Sequence, residues 1–220
     1  MIITSKEMNL ENGPARCSPR RRRQNFIVDF PSLKNRHSVE CDSILESAYC
    51  IWLEHDPTVA KYYAQPHTFT WTDETQRYRY TPDFLVVLTN GDSYFSEVKL
   101  DFTKQRTSRL ATLESFRALC FQEGWTLTCH DQRSLTGPPS FHNLQVLYSR
   151  SSTWNEQRQM HFYHYVQHRH WPTTLGDLVQ DSAAPTIGTI CYNLFTGQLS
   201  ADLSQPLTLH LMVDWKAPHE

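Results

Sequence analysis

The sequence predicts an α/β protein, a mixed sheet flanked by helices, followed by a small domain of three helices and a β-hairpin. Three observations carry this. Residues 84–88 form a continuous apolar run bounded by turn signals, the pattern of a strand covered on both faces. Helical periodicity recurs on either side of it, over 42–55 and 103–123. The charge then changes along the chain: residues 1–150 hold 18 basic and 17 acidic side chains, residues 151–220 only 3 and 6. The 220 residues are 39% hydrophobic, enough for a buried core at this length. No run approaches the ~18–20 apolar residues of a bilayer helix and no signal-peptide apolar region opens the chain, so a soluble cytoplasmic protein without membrane contact is expected.

The predicted organisation is a basic N-terminal arm (1–36), an α/β domain (37–150) and a small C-terminal domain (151–220). Met1 to His37 carries 8 basic residues against 3 acidic ones. The run Arg20, Arg21, Arg22 and Arg23 reads either as a solvated tail or as a contact to a phosphate backbone, since clustered guanidinium groups release counterions on binding nucleic acid. Six cysteines (Cys17, Cys41, Cys50, Cys120, Cys129, Cys191) lie far apart, and without a secretory signal they are expected to stay reduced.

Asp42 to His55 is the first predicted helix. Ser43, with Glu46 three residues on, has capping-box spacing. At 100° per residue Ile44, Leu45, Ala48, Tyr49, Ile51, Trp52 and Leu53 cover one arc, Glu46 sits at its margin, and Ser47 and Glu54 face outward. Glu46 by itself could simply stabilise the helix dipole. His67–Trp71 and Gln76–Tyr80 read as short strands rich in Thr and aromatics. Phe84–Leu88 and the alternating stretch Tyr94–Leu100 follow, joined at Asn90-Gly91 in a hairpin. Thr103 to Glu123 is the second helix, ended by Gly124. Its first turns hold Lys104, Arg106 and Arg109, where the dipole favours acids; these are either exposed surface charges or the contact for an anionic partner. Trp125–Cys129 is a strand and Ser134–Asn143 a loop. In the C-terminal domain, helices over Thr153–His170, Thr173–Gln180 and Thr186–Phe195 precede strand candidates at Gln198–Leu203 and Leu207–Val213, the element order of a winged helix. His161, His164 and His168 share a helix face, but no Cys or acid completes a metal set, so they read as an amphipathic helix. Being acidic, this domain suits a protein partner.

Pro82-Asp83, thirteen residues, then Glu97-Val98-Lys99 matches the PD-(D/E)xK arrangement of restriction-endonuclease-like nucleases. Mg²⁺ takes oxygen ligands in octahedral geometry, and phosphodiester hydrolysis needs a charge sink at the scissile phosphate. Two carboxylates on adjacent strands can converge on that ion. A lysine two residues after one of them shares its face and can orient or deprotonate the attacking water, or stabilise the phosphate. Register decides whether they meet. A two-residue turn at Asn90-Gly91 would oppose Asp83 to Val98 and send Asp83 and Glu97 to opposite faces. A three-residue loop, Thr89-Asn90-Gly91, with a bulge at Gly91 would oppose Asp83 to Glu97. A bulge at or near Gly91 is therefore predicted.

Beyond this core, Glu40-Cys41-Asp42-Ser43-Ile44-Leu45-Glu46, Leu53-Glu54-His55-Asp56-Pro57-Thr58-Val59, Gln65-Pro66, Tyr80-Thr81-Pro82-Asp83-Phe84 and Glu97-Val98-Lys99 together resemble the TnsA family, the endonuclease subunits of heteromeric cut-and-paste transposases. The resemblance covers residues 16 to 150 by motif and the following segment by element order only; in length the chain resembles the compact members of CRISPR-associated transposons. It implies a Mg²⁺-dependent endonuclease, with Mn²⁺ as a substitute, in which Glu46, Asp83 and Glu97 carry the metals and Lys99 assists. Some relatives have Gln where Glu97 stands. It also implies double-stranded transposon-end DNA as substrate, cleavage of the 5′ strands, a DDE transposase (TnsB) as partner, an AAA+ regulator (TnsC) engaged by the C-terminal domain, and a bacterial, nucleoid-associated location. The alternatives are a non-catalytic DNA-positioning adaptor in the same complex and a stand-alone restriction or junction-resolving nuclease.

Overall fold

The computed structural model describes residues 27–73, 76–151 and 154–215; Arg20, Arg21, Arg22 and Arg23 lie outside them. The chain divides into two compact units between Leu135 and Thr136. The first opens with an antiparallel pair, β1 (Val28–Pro31) and β2 (Ser38–Cys41), then α1 (Ile44–His55) and β3 (Val59–Ala64). A second antiparallel pair follows, β4 (Phe69–Thr72) with β5 (Arg77–Tyr80), then β6 (Phe84–Leu88) and β7 (Ser93–Lys99). A 3₁₀ turn (Phe102–Lys104), α2 (Thr107–Gln122), β8 (Thr126–Asp131) and α3 (Gln132–Thr136) complete it.

The central sheet runs β3-β6-β7-β8. Its β3–β6 and β6–β7 pairs are antiparallel, whereas β8 runs parallel to β7. A parallel neighbour requires a crossover, and α2 supplies it. Strand alternation sorts the two faces. Leu85, Phe95 and Leu127 point to the α2 side, where Phe95 and Phe69 pack on the fully buried Phe116 with ring centroids 5.9 and 5.2 Å away. On the other side Phe84 meets Tyr49 of α1 edge-on at 5.3 Å, and Tyr49 stacks on His130 at 4.7 Å. This is a mixed α/β architecture with a helix-flanked sheet, consistent with a restriction-endonuclease-like fold.

The second unit contains α4 (Pro139–Arg150), α5 (Glu156–Gln167), β9 (Thr173–Thr174), α6 (Leu175–Gln180), α7 (Ile187–Phe195) and β10 (Met212–Val213). Its core gathers Leu144, Leu147, Phe162, Val166, Leu178, Ile190, Leu194 and Phe195. A buried amide pair joins α5 to α7: Gln159 Nε2 donates to Asn193 Oδ1 at 2.8 Å and Asn193 Nδ2 to Gln159 Oε1 at 3.0 Å.

Several local expectations change. Residues 27–36, expected as the end of an arm, belong to the folded unit: Phe30 and Ser32 are buried, and the Lys34 ammonium donates to the carbonyl of Val59 at 2.7 Å and to that of Asp56. Glu54 does not face outward. It is buried and accepts from Ser32 Oγ at 2.5 Å and Tyr62 Oη at 2.7 Å, partners from remote segments, while Ile44 is exposed. The strand β3 has no counterpart among the predicted elements. The segment 134–143 is not a loop: α3 runs into it and α4 starts at Pro139, a residue suited to a first helical turn. Because α4 packs on α7 through Tyr148 and Phe195, with centroids 5.0 Å apart, the boundary falls at 135/136 rather than near 150. The expected strands at 198–203 and 207–213 shrink to the bridge Ser200–Asp214 and to β10, which pairs with β9. Asn143 Nδ2 takes the carbonyls of Leu203 and Gln205 (2.8 and 2.7 Å), so these are not ladder acceptors.

Candidate active site

The site begins with a turn. Leu88 N donates to the Asp92 carbonyl at 2.8 Å and Gly91 N to the Leu88 carbonyl at 3.0 Å, which makes Thr89-Asn90-Gly91 a three-residue loop. Gly91 has φ +90°, where a side chain would be strained, and forms the bulge. The β6–β7 register follows: Phe84 opposes Ser96, Leu85 opposes Phe95 and Val86 opposes Tyr94. Asp83 lies one residue beyond the last pair, Phe84–Ser96, so this register brings it level with Glu97, as the three-residue loop predicts. Pro82 cannot donate to a ladder, and Asp83 leaves β6 there. Its Oδ2 accepts from Val98 N and from Lys99 Nζ, both at 2.8 Å. Lys99 Nζ also reaches Glu97 Oε1 at 2.5 Å.

Glu46 arrives from α1. Ser43 caps that helix, its Oγ accepting from Glu46 N at 3.1 Å. The Glu46 carboxylate turns back to the helix start and accepts from Asp42 N at 2.7 Å and Ser43 Oγ at 3.1 Å. It is both an N-terminal capping group and, at 7% exposure, a buried acid beside Asp83. Burial and then the Asp83 charge push Glu46 up to about 7. The same causes in the same order push Glu97 up to about 7, against the pull of Lys99. Burial draws the Lys99 ammonium down, but Asp83 and Glu97 outweigh it and hold the group above its usual range. Sequence reasoning missed Tyr80, whose hydroxyl donates to Glu97 Oε2. Its signals are its place in the stretch Tyr80-Thr81-Pro82-Asp83-Phe84 and at the end of β5, which packs against α2.

Asp83 and Glu97 on either side of one ammonium, with Glu46 beside Asp83, are oxygen donors of the kind a hard divalent cation takes. Among the described residues no three His, Cys, Asp or Glu side chains are gathered tightly enough to hold a metal as they stand. Here Lys99 Nζ lies between Asp83 and Glu97, and Glu46 is engaged with its own helix.

Residues 56–129 match the family model described as TnsA-like endonuclease N-terminal. The matched segment lies within the first unit and is similar to that domain. The match supports a TnsA-family assignment and a nuclease role in transposition. No curated protein matches the chain. The TnsA-like segment spans β3 to β8 and so contains Asp83, Glu97 and Lys99, whereas Glu46 precedes it. Lys104, Arg106 and Arg109 also lie within it, exposed around the start of α2, with Lys104 paired to Asp101 at 3.2 Å. Thr103 does not open α2: the chain forms the 3₁₀ turn first and Arg106 becomes the N-cap. In the second unit His161, His164, His168, Arg169, His170 and Asp181 line a cavity of about 940 Å³. No helix of the described residues is long and apolar enough to cross a membrane.

Proposed function

We propose that this chain is the metal-dependent endonuclease subunit of a heteromeric transposase, cutting the 5′ strands at transposon ends while a TnsB-type transposase processes the 3′ strands. The observation that carries this reading is the convergence of Asp83 and Glu97 on Lys99 Nζ, at 2.8 and 2.5 Å, inside the TnsA-like segment. Asp83, Glu97 and, from α1, Glu46 would hold Mg²⁺ or Mn²⁺. When bound, the ion supplies a charge sink at the scissile phosphate and acidifies a water nucleophile. Lys99 offers an ammonium at the same point, suited to stabilising negative charge on phosphate oxygens. Tyr80 fixes one Glu97 oxygen and leaves the other to face the site. Lys104, Arg106 and Arg109, together with Arg20, Arg21, Arg22 and Arg23, supply charge for the DNA backbone. The acidic second unit serves a protein partner, a TnsC-type AAA+ regulator.

The test uses strand-labelled transposon-end DNA, Mg²⁺, the partner transposase and either wild type or Asp83→Ala. Wild type releases the 5′ strand, and Asp83→Ala leaves only 3′ cuts. Identical products from both would replace the nuclease by a non-catalytic adaptor.

A further inference from the structure

Gln65 combines three features that no fold requirement explains. Its backbone adopts φ +47°, a left-handed conformation uncommon for a residue with a side chain and foreign to a position before proline, here Pro66. It is 6% exposed, and its Oε1 is buried without a hydrogen-bond partner among the described residues. Strained backbone and an unsatisfied acceptor both cost stability, and such costs persist where the surroundings serve a site.

The connections of Gln65 identify the site. Its N–H donates to the Asp83 carbonyl at 2.8 Å, one step beyond the last β3–β6 pair, Ala64–Phe84. Its Nε2 donates to Asp42 Oδ2 at 2.7 Å. Asp42 N in turn donates to Glu46 Oε2 at 2.7 Å. One residue therefore ties the strand end bearing Asp83 to the helix start bearing Glu46. The left-handed turn lets the backbone serve one and the side chain the other.

We propose that Gln65 is a positioning residue that sets the placement of Glu46 relative to Asp83 for cation binding; this rests on the nuclease reading above. The test is calorimetric titration of the full chain with Mn²⁺, alongside Mn²⁺-supported cleavage kinetics. Gln65→Gly accepts the left-handed φ and keeps the bond to the Asp83 carbonyl, so it folds, as a cooperative melting transition shows. It loses the clamp to Asp42, and Mn²⁺ affinity falls about tenfold, the lower end for residues supporting metal ligands, with kcat reduced and KM for DNA unchanged. Gln65→Glu sets a carboxylate against Asp42 and weakens Mn²⁺ binding as well. Adding Asp42→Asn to it restores the hydrogen bond with reversed polarity and recovers the affinity. Wild-type affinity in Gln65→Gly, or no recovery in the double variant, overturns the inference while leaving the nuclease reading intact. Wild type that neither binds Mn²⁺ nor cuts DNA overturns both.

Discussion

At the residue scale the candidate site is an excess of buried negative charge held by one ammonium. Glu46 and Glu97 are both raised to about 7 from an ordinary value of 4.5, so the folded chain keeps protons that the unfolded chain has released. Between pH 4.5 and about 7 the native state binds more protons, and its stability falls as pH rises through that window, then levels off. Glu46→Gln keeps an acceptor for Asp42 N but removes the charge. It is expected to stabilise the protein at pH 8 by on the order of 1–3 kcal/mol and to give no advantage at pH 4. Urea unfolding at the two pH values measures this, and a gain of equal size at both would mean that charge is not the cause. Asp83, Glu97 and Lys99 were legible in the sequence because their spacing across a hairpin has a chemical reason. The buried Glu54 was not, since helical periodicity cannot see that Ser32 and Tyr62 arrive from elsewhere to satisfy its oxygens.

At the element scale the β6–β7 hairpin sets the register and α2 presents the basic surface. A one-residue change in a turn sends every following side chain to the other face, so Gly91 decides whether Asp83 and Glu97 meet. A Cβ there meets nothing within 4 Å, so the cost of substitution is conformational alone. Gly91→Val is expected to destabilise by about 1–2 kcal/mol and to lower cleavage by shifting the register, readable as a fall in both Tm and kcat. Gly91→Asn, which tolerates a positive φ, should retain most of both. Around the start of α2, replacing Lys104, Arg106 and Arg109 together by Ala should weaken DNA binding for all sequences alike. The slope of log K against log salt should flatten by up to about 2–3, near 0.9 for each phosphate no longer neutralised. An unchanged slope would remove this helix start from the DNA interface. The hairpin could be predicted because loop length and Gly91 are local signals; β3 could not, because Val59–Ala64 becomes a strand only by pairing with β6.

At the scale of the whole molecule, two units each bury their own core. Phe195 is 1% exposed and packs on Tyr148; Phe195→Ala is expected to cost the second unit about 3–5 kcal/mol. In scanning calorimetry one transition should move down while the unit holding Asp83, Glu97 and Lys99 melts as before. A uniform shift would show the two to be one cooperative block. The sequence by itself determined that Asp83, Glu97 and Lys99 come together, the three-residue turn between their strands, and the family they resemble. Periodicity, turn residues and motif spacing are properties of neighbouring residues, and these features depend on little else. Only the tertiary structure decided where the units divide, that 27–36 is folded, that α4 exists within the second unit, and that Gln65 joins Asp83 to Glu46. Each of these depends on groups far apart in the chain satisfying one another's buried polar atoms and apolar faces, which no local pattern encodes.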